Sequence, residues 1–279
     1  MTSPARKTDH AREPGERLRR VECRHNALVK ELRSAFAHAE PTSGGDCAIE
    51  GMRIVAEAVR SGVRFRAVFF SESGRPRAER LLPQMGAHVE ALALPDALFA
   101  TVVPSETPQG VAALVRMKVW SLDAVLARAQ LGPFIAVAGL QDPGNLGTIL
   151  RSAEAFGAAG VLLGEGTVSL YNSKVVRGSA GSVFRVAAVK VKLEEVLPEL
   201  KKRGIRLIAT SSHKGVPLPE ANLKKPLAFF IGGEGAGVPK DLLGKADEVV
   251  AIPHAPQVES LNAGVAASIV LYEMARQER

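Results

Sequence analysis

The sequence predicts an α/β protein built as two units, and three observations predict it. From residue 133 onward, short runs at 134–140, 160–163, 206–210, 227–231 and 248–252 are apolar throughout. They alternate with helical segments at 146–156, 173–178, 193–203, 239–244 and 261–277. Strands lacking a polar side belong to a parallel sheet covered by helices on both faces. A shorter α/β alternation occupies 24–117, and the 279 residues are long enough for about two domains.

In order, residues 1–23 form a basic, partly disordered arm, followed by a helix over 26–39 with Leu28, Leu32, Ala35 and Phe36 on one face. The loop Pro41-Thr42-Ser43-Gly44-Gly45-Asp46 ends that helix. A strand at 47–50, a helix at 51–61, a strand at 66–71, a helix around 78–85, a strand at 88–94, a short helix at 95–102 and a strand at 110–117 complete a small α/β unit. Residues 118–132 read as a linker holding one amphipathic helix, and 133–279 as the second domain. Its closing segment is a short apolar strand halted by Pro253, a polar loop, and a helix that Ser260 can cap. Leu261, Val265, Ile269 and Tyr272 recur on one face of that helix.

Composition narrows the function classes. No apolar run reaches the ~18 residues of a membrane span, and the first twenty residues lack the apolar core of a secretory signal. Cys23 and Cys47 have neither metal nor redox spacing, which suits a reducing cytoplasm. The net charge is +7, and residues 1–30 contribute eight Lys and Arg against four Asp and Glu, pointing weakly toward a polyanionic partner. With one Trp, two Tyr and ten Phe placed mostly in apolar runs, base stacking is an improbable mode of contact. Phosphate and ribose contacts would dominate instead.

Three segments carry the polar residues that a sheet edge offers to a ligand. In Gly139–Ala158, Asn145 is placed to cap a helix whose buried stripe is Leu146, Ile149, Leu150, Ala153 and Phe156. Arg151 falls about 140° around from Leu146 and points away from that core. In Gly232-Gly233-Glu234-Gly235-Ala236-Gly237, glycines allow a flat ligand to approach the backbone, and the spacing departs from a dinucleotide fingerprint, which disfavours a nicotinamide enzyme. In 172–185, Lys174, Arg177 and Arg185 lie among small residues and suit phosphate contacts, although a solvated face explains them equally well. There is no Walker loop, nucleophile elbow or metal-spaced cluster. Singly, these residues leave a plain capped helix, a glycine turn and a surface arginine open.

In combination and in this order, NLGTILRSAEAFGA, FFIGGEGAGVP and IPHAPQVESLNAGVAASIVLYEMAR resemble the SpoU/TrmH family of S-adenosylmethionine-dependent RNA ribose 2′-O-methyltransferases, within the SPOUT superfamily. The resemblance covers 133–277, and 24–116 looks like the family's small N-terminal substrate-binding domain. It implies a parallel sheet with a C-terminal trefoil knot, an exception to the general absence of knots, and a homodimer with active sites near the subunit interface. It assigns Asn145, Arg151, Glu234, Ser260 and Asn262 to the catalytic set, and Thr210, Gly232, Gly233, Ile252 and Leu261 to the cofactor. It favours ribosomal over transfer RNA; a non-catalytic assembly factor on the same fold is the alternative. His254 stands where Met is frequent, and Ala263-Gly264 where many members have Val-Ser. Arg151 is the family's favoured activating residue. A guanidinium stays protonated, so we expect it to stabilise a developing oxyanion, with Glu234 or a substrate phosphate taking the proton.

Overall fold

The computed structural model describes residues 17–224, 226–233 and 237–278. Most of the expected N-terminal arm and the whole of Glu234 lie outside them. The first unit contains β1 (Leu18–Arg20), α1 (Ala27–His38), β2 (Cys47–Glu50), α2 (Met52–Arg60), β3 (Arg64–Ser71), α3 (Arg75–Leu81), β4 (Glu90–Leu94), α4 (Asp96–Ala100) and β5 (Val111–Arg116). Its sheet has the order β1-β4-β3-β5-β2, with β5 antiparallel to both its neighbours and the other pairs parallel.

Within the expected arm, β1 pairs with β4, and Arg17 Nη1 donates to the carbonyls of Leu82 and Met85 at 2.6 and 3.0 Å. The helix read at 78–85 begins earlier, at Arg75, with Pro76 in its first turn, where a missing N–H costs nothing. It gives way to a single 3₁₀ turn at Leu82–Gln84, around Pro83.

The second unit contains α5 (Leu122–Leu126), β6 (Phe134–Ala138), α6 (Pro143–Ala155), β7 (Gly160–Leu163), α7 (Ser173–Gly178), β8 (Ala188–Lys190), α8 (Leu193–Lys202), β9 (Arg206–Ser211), β10 (Val216–Pro217), β11 (Leu227–Gly232), α9 (Lys240–Leu243), β12 (Glu248–Ala251) and α10 (Ala263–Gln277). Its seven strands are all parallel, in the order β10-β12-β9-β11-β6-β7-β8. The two-residue period of each strand serves two cores. Ile135, Val137, Ile208, Phe229 and Ile231 pack with α6, α7 and α10. Phe134, Ala136, Leu207, Ala209 and Phe230 pack with α5, α8 and α9. That is why these strands carry no polar side. The edge strands β8 and β10 were not legible, since neither buries a residue.

The strand order is unusual for an open sheet. A doubly wound sheet grows outward from its centre; here β11 enters between β9 and β6, and β12 between β10 and β9. These interior insertions accord with the threading expected of the C-terminal half. Among the described residues no helix is long and apolar enough to cross a membrane.

The two units meet through polar contacts around a shared apolar cluster. Ser169 Oγ donates to the Ala39 carbonyl at 2.7 Å. Arg185 bridges the units, pairing with Glu154 of its own domain and with Glu57 (3.3 Å) and Ser61 Oγ (2.7 Å) on the other side. Deeper in, Glu50 at the end of β2 accepts from Ser105 Oγ at 2.9 Å and lies 3.9 Å from Arg177 of α7. The Glu50 side chain is only 3% exposed. Burial pushes its carboxyl above the ordinary carboxylate range, more than Ser105 and Arg177 pull it back.

Between its ordinary and raised values, the folded chain holds a proton at Glu50 that the unfolded chain releases, so stability falls as the pH rises through that window. Glu50→Gln keeps an acceptor for Ser105 and removes the buried charge. We expect it to stabilise the chain at neutral pH by on the order of 1 kcal/mol, a rise of roughly 2–4 °C in Tm. Calorimetry should show the gain vanish once the pH drops below the ordinary carboxylate range.

Candidate active site at the C-terminal edge of the parallel sheet

Because all seven strands run one way, their C-terminal ends share one edge, the usual ligand side of an α/β sheet. At its middle, β12, β9, β11 and β6 stand side by side. Gly232 ends β11 opposite Ala138, Thr210 pairs with Val250, and Ile252 directly follows β12. Thr210, Gly232, Gly233 and Ile252 are therefore gathered on one stretch of edge, with half-buried Leu261 just before α10.

The lining there is largely backbone. A Cβ on Gly232 would lie 1.9 Å from the Gly237 carbonyl carbon, and one on Gly233 2.7 Å from the Gly139 oxygen. The turn closes through the Gly237 N–H to the Gly233 carbonyl at 3.2 Å. Thr210 donates its hydroxyl proton to the Phe230 carbonyl at 2.9 Å. A cavity of about 520 Å³ opens beside this turn, lined in part by Gly139, Gln141, Glu165, Glu194, Gly233 and Asp241.

Asn145 and Arg151 lie on α6 and Asn262 at the start of α10, and both helices start differently from the sequence reading. The cap of α6 is Asp142, whose Oδ1 accepts from the Asn145 N–H at 2.7 Å, with Pro143 in the first helical position. Asn145 is thus not the cap; it sits in the first turn and is buried. The signal was present as Asp-Pro, an acceptor followed by a residue with no N–H to satisfy. The cap of α10 is Asn262, accepting from the N–H groups of Gly264 (3.0 Å) and Val265 (3.2 Å). Ser260, the expected cap, lies upstream and exposed.

The two helices run parallel in close contact. Ser152 and Ser268 hydroxyls meet at 2.7 Å, and Phe156 meets Tyr272 edge to face at 5.9 Å. A Cβ on Gly264 would come within 3.2 Å of Asn145 Oδ1 and 3.1 Å of Thr148 Cβ. So Asn145 lies against the first turn that Asn262 caps. Arg151, two turns along α6, is exposed and makes no hydrogen bond or ion pair among the described residues.

The stripe Leu261, Val265, Ile269 and Tyr272 lies away from the most buried face of α10. Gly264, Ala267, Val270, Leu271 and Met274 are buried, while Val265 is 46% and Tyr272 55% exposed. Of the three basic residues read as RNA contacts, Arg177 and Arg185 are drawn into the contacts between the units. Only Lys174 is exposed without a partner among the described residues. His213 and His254, read as lone histidines, form a ring pair with centroids 5.3 Å apart. No cluster of three or more His, Cys, Asp or Glu suited to a metal occurs among the described residues.

Known proteins match this arrangement along most of the chain. The model of the SpoU rRNA methylase family matches residues 132–272, and that of the MRM3-like substrate binding domain residues 26–113. The 23S rRNA (guanosine(2553)-2′-O)-methyltransferase RlmP of Bacillus subtilis is 32% identical over 92% of this chain and 99% of its own. The SpoU methyltransferase AviRb of Streptomyces viridochromogenes, solved with AdoMet, superposes with a TM-score of 0.80 at 29% identity, over 91% of this chain and 98% of that one. An AdoMet-bound rRNA methyltransferase of Sinorhizobium meliloti gives 0.78 at 25% identity, over 94% and 99%.

Asn262→Ala should cost about 1 kcal/mol by removing the cap of α10, whereas Asn262→Asp, which keeps an acceptor, should lose little. Urea denaturation of the two variants checks this; equal losses would mean that the cap does not hold the helix.

Proposed function

The chain belongs to the SpoU rRNA methylase family, and on that premise we propose that it transfers a methyl group from S-adenosylmethionine to a ribose 2′-hydroxyl of ribosomal RNA in the cytoplasm. What supports this reading is the glycine turn at the end of β11, Asn145 packed against the first turn of α10, and Arg151, exposed on α6 and without a partner among the described residues. The residues present fit the cofactor. Gly232 and Gly233 let the turn fold closely against the Gly237 and Gly139 backbone at the strand end, and Thr210, Ile252 and Leu261 would border an adenosine bound beside it. Bound there, S-adenosylmethionine supplies an electrophilic sulfonium methyl.

The chain's own task is to make the ribose oxygen nucleophilic and to hold it in line. Arg151 remains protonated and stabilises the oxyanion as the hydroxyl proton leaves. Asn145, Ser260 and Asn262 position the ribose. Glu234, or a phosphate of the substrate itself, takes the proton. Lys174 and the N-terminal unit hold the RNA through its phosphates, while Arg177 and Arg185 set the angle between the two units.

The working form in this proposal is a homodimer. Val265 and Tyr272 of α10 are exposed and Tyr272 meets Phe156 of α6, so a second copy docking there would cover them along the seam.

Labelled S-adenosylmethionine should transfer its methyl to ribosomal RNA and leave transfer RNA unlabelled, with alkali-resistant nucleotides marking ribose as the acceptor. Label on the bases, or on transfer RNA only, would overturn the assignment. Arg151→Ala should lower turnover by about two to three orders of magnitude, the loss of roughly 3–4 kcal/mol of oxyanion stabilisation, with cofactor affinity close to normal. Light scattering should give twice the 29.5 kDa chain mass. Val265→Glu combined with Tyr272→Glu should give the single mass.

A further inference from the structure

We propose that His254 is a positioning residue for the methyl donor, stapling the loop between β12 and α10 into the shape that holds it. This rests on the proposed function, in which Ile252 and Leu261 border the cofactor. Pro253 ends β12, and the chain must then travel from Ile252 to Asn262 before α10 begins. Most of that stretch is exposed and has no strand or helix to support it. A single backbone bond, Val258 N–H to the Ala255 carbonyl at 3.0 Å, closes a turn in its middle.

The imidazole of His254 does the rest. Its Nδ1 lies 2.7 Å from the Ile252 carbonyl oxygen and its Nε2 3.1 Å from that of Val258. One ring thus spans the loop from the residue bordering the cofactor to the far side of the turn. Both partners are acceptors only, so each contact requires a ring N–H. A neutral ring satisfies one and an imidazolium both. The ring face meets His213, which follows β9, at 5.3 Å between centroids. The staple therefore also ties the wall that carries Ile252 to the wall that carries Thr210. Those are the ends of two neighbouring strands, β12 and β9.

A loop held this way meets its ligand already shaped, which lowers the ordering cost of binding. The turn of chemistry itself stays with Arg151 and its neighbours, so the effect belongs to affinity rather than to the rate at saturation.

The test is calorimetric titration of S-adenosylmethionine into the full chain and into His254→Met and His254→Gln. Methionine fills similar space without donating, and glutamine offers two amide N–H groups to the same carbonyls. We expect His254→Met to weaken binding about tenfold, the loss of about one hydrogen bond, with kcat at saturating cofactor within about twofold of the parent. His254→Gln should recover most of the affinity. In the cofactor-free protein, the Val258 amide should exchange faster in His254→Met than in the parent. Unchanged affinity in His254→Met, or a glutamine variant as weak as methionine, would overturn the proposal. A parent chain that binds no S-adenosylmethionine would instead overturn the functional reading beneath it.

Discussion

The seam between α6 and α10 is the constraint on which the site depends. The two helices begin at opposite ends of the catalytic domain's sequence, yet their serines touch across 116 residues of chain. That approach is possible because Gly264 presents no side chain to Asn145 and Thr148, and because the seam residues that follow are small or flat, Ser152, Ser268, Phe156 and Tyr272. With the helices parallel and in register, their N-termini emerge together. Asn145 then lies beside the first turn of α10 without any long side chain having to reach across. Asp142 and Asn262 fix where each helix begins, and so fix which residue of each motif faces inward.

Much of this could be read before any coordinates, and the reasons are physical. Strands buried on both faces announce themselves as unbroken apolar runs, and β6, β7, β9, β11 and β12 were found within a residue or two at most ends. The helices between them followed from turn residues and apolar spacing. What failed was information that a single segment does not contain. The edge strands β1, β8 and β10 owe their existence to a neighbour's backbone, not to their own composition. The two helix caps were misplaced because several adjacent residues had the right chemistry, and only geometry chooses among Asp142, Asn145, Ser260 and Asn262.

The stripe of Leu261, Val265, Ile269 and Tyr272 shows a different limit of the sequence. Periodicity reports that a face is apolar, not what covers it. The small residues Gly264 and Ala267 turned out to face the protein, because the seam demands close approach. The same blindness affected Arg177 and Arg185. Their charge was legible, but their partners Glu50, Glu57 and Ser61 lie in the other unit, more than a hundred residues away. Charge in this chain is thus divided between holding the units together and meeting a polyanion, and sequence alone cannot apportion it.

The interior position of β12 has a consequence for how the molecule comes into being. An edge strand can be added last to a sheet that already stands, but a strand flanked on both sides completes a gap that its neighbours cannot close themselves. During synthesis at ~5–20 residues per second, β6 and α6 leave the ribosome several seconds before β12 and α10 follow. Until then β9 and β10 have no bridge between them, and the seam face of α6 has nothing to cover it. The nascent chain must therefore wait, exposed, for β12 and α10, and its affinity for a small ligand becomes a measure of whether these two elements have emerged.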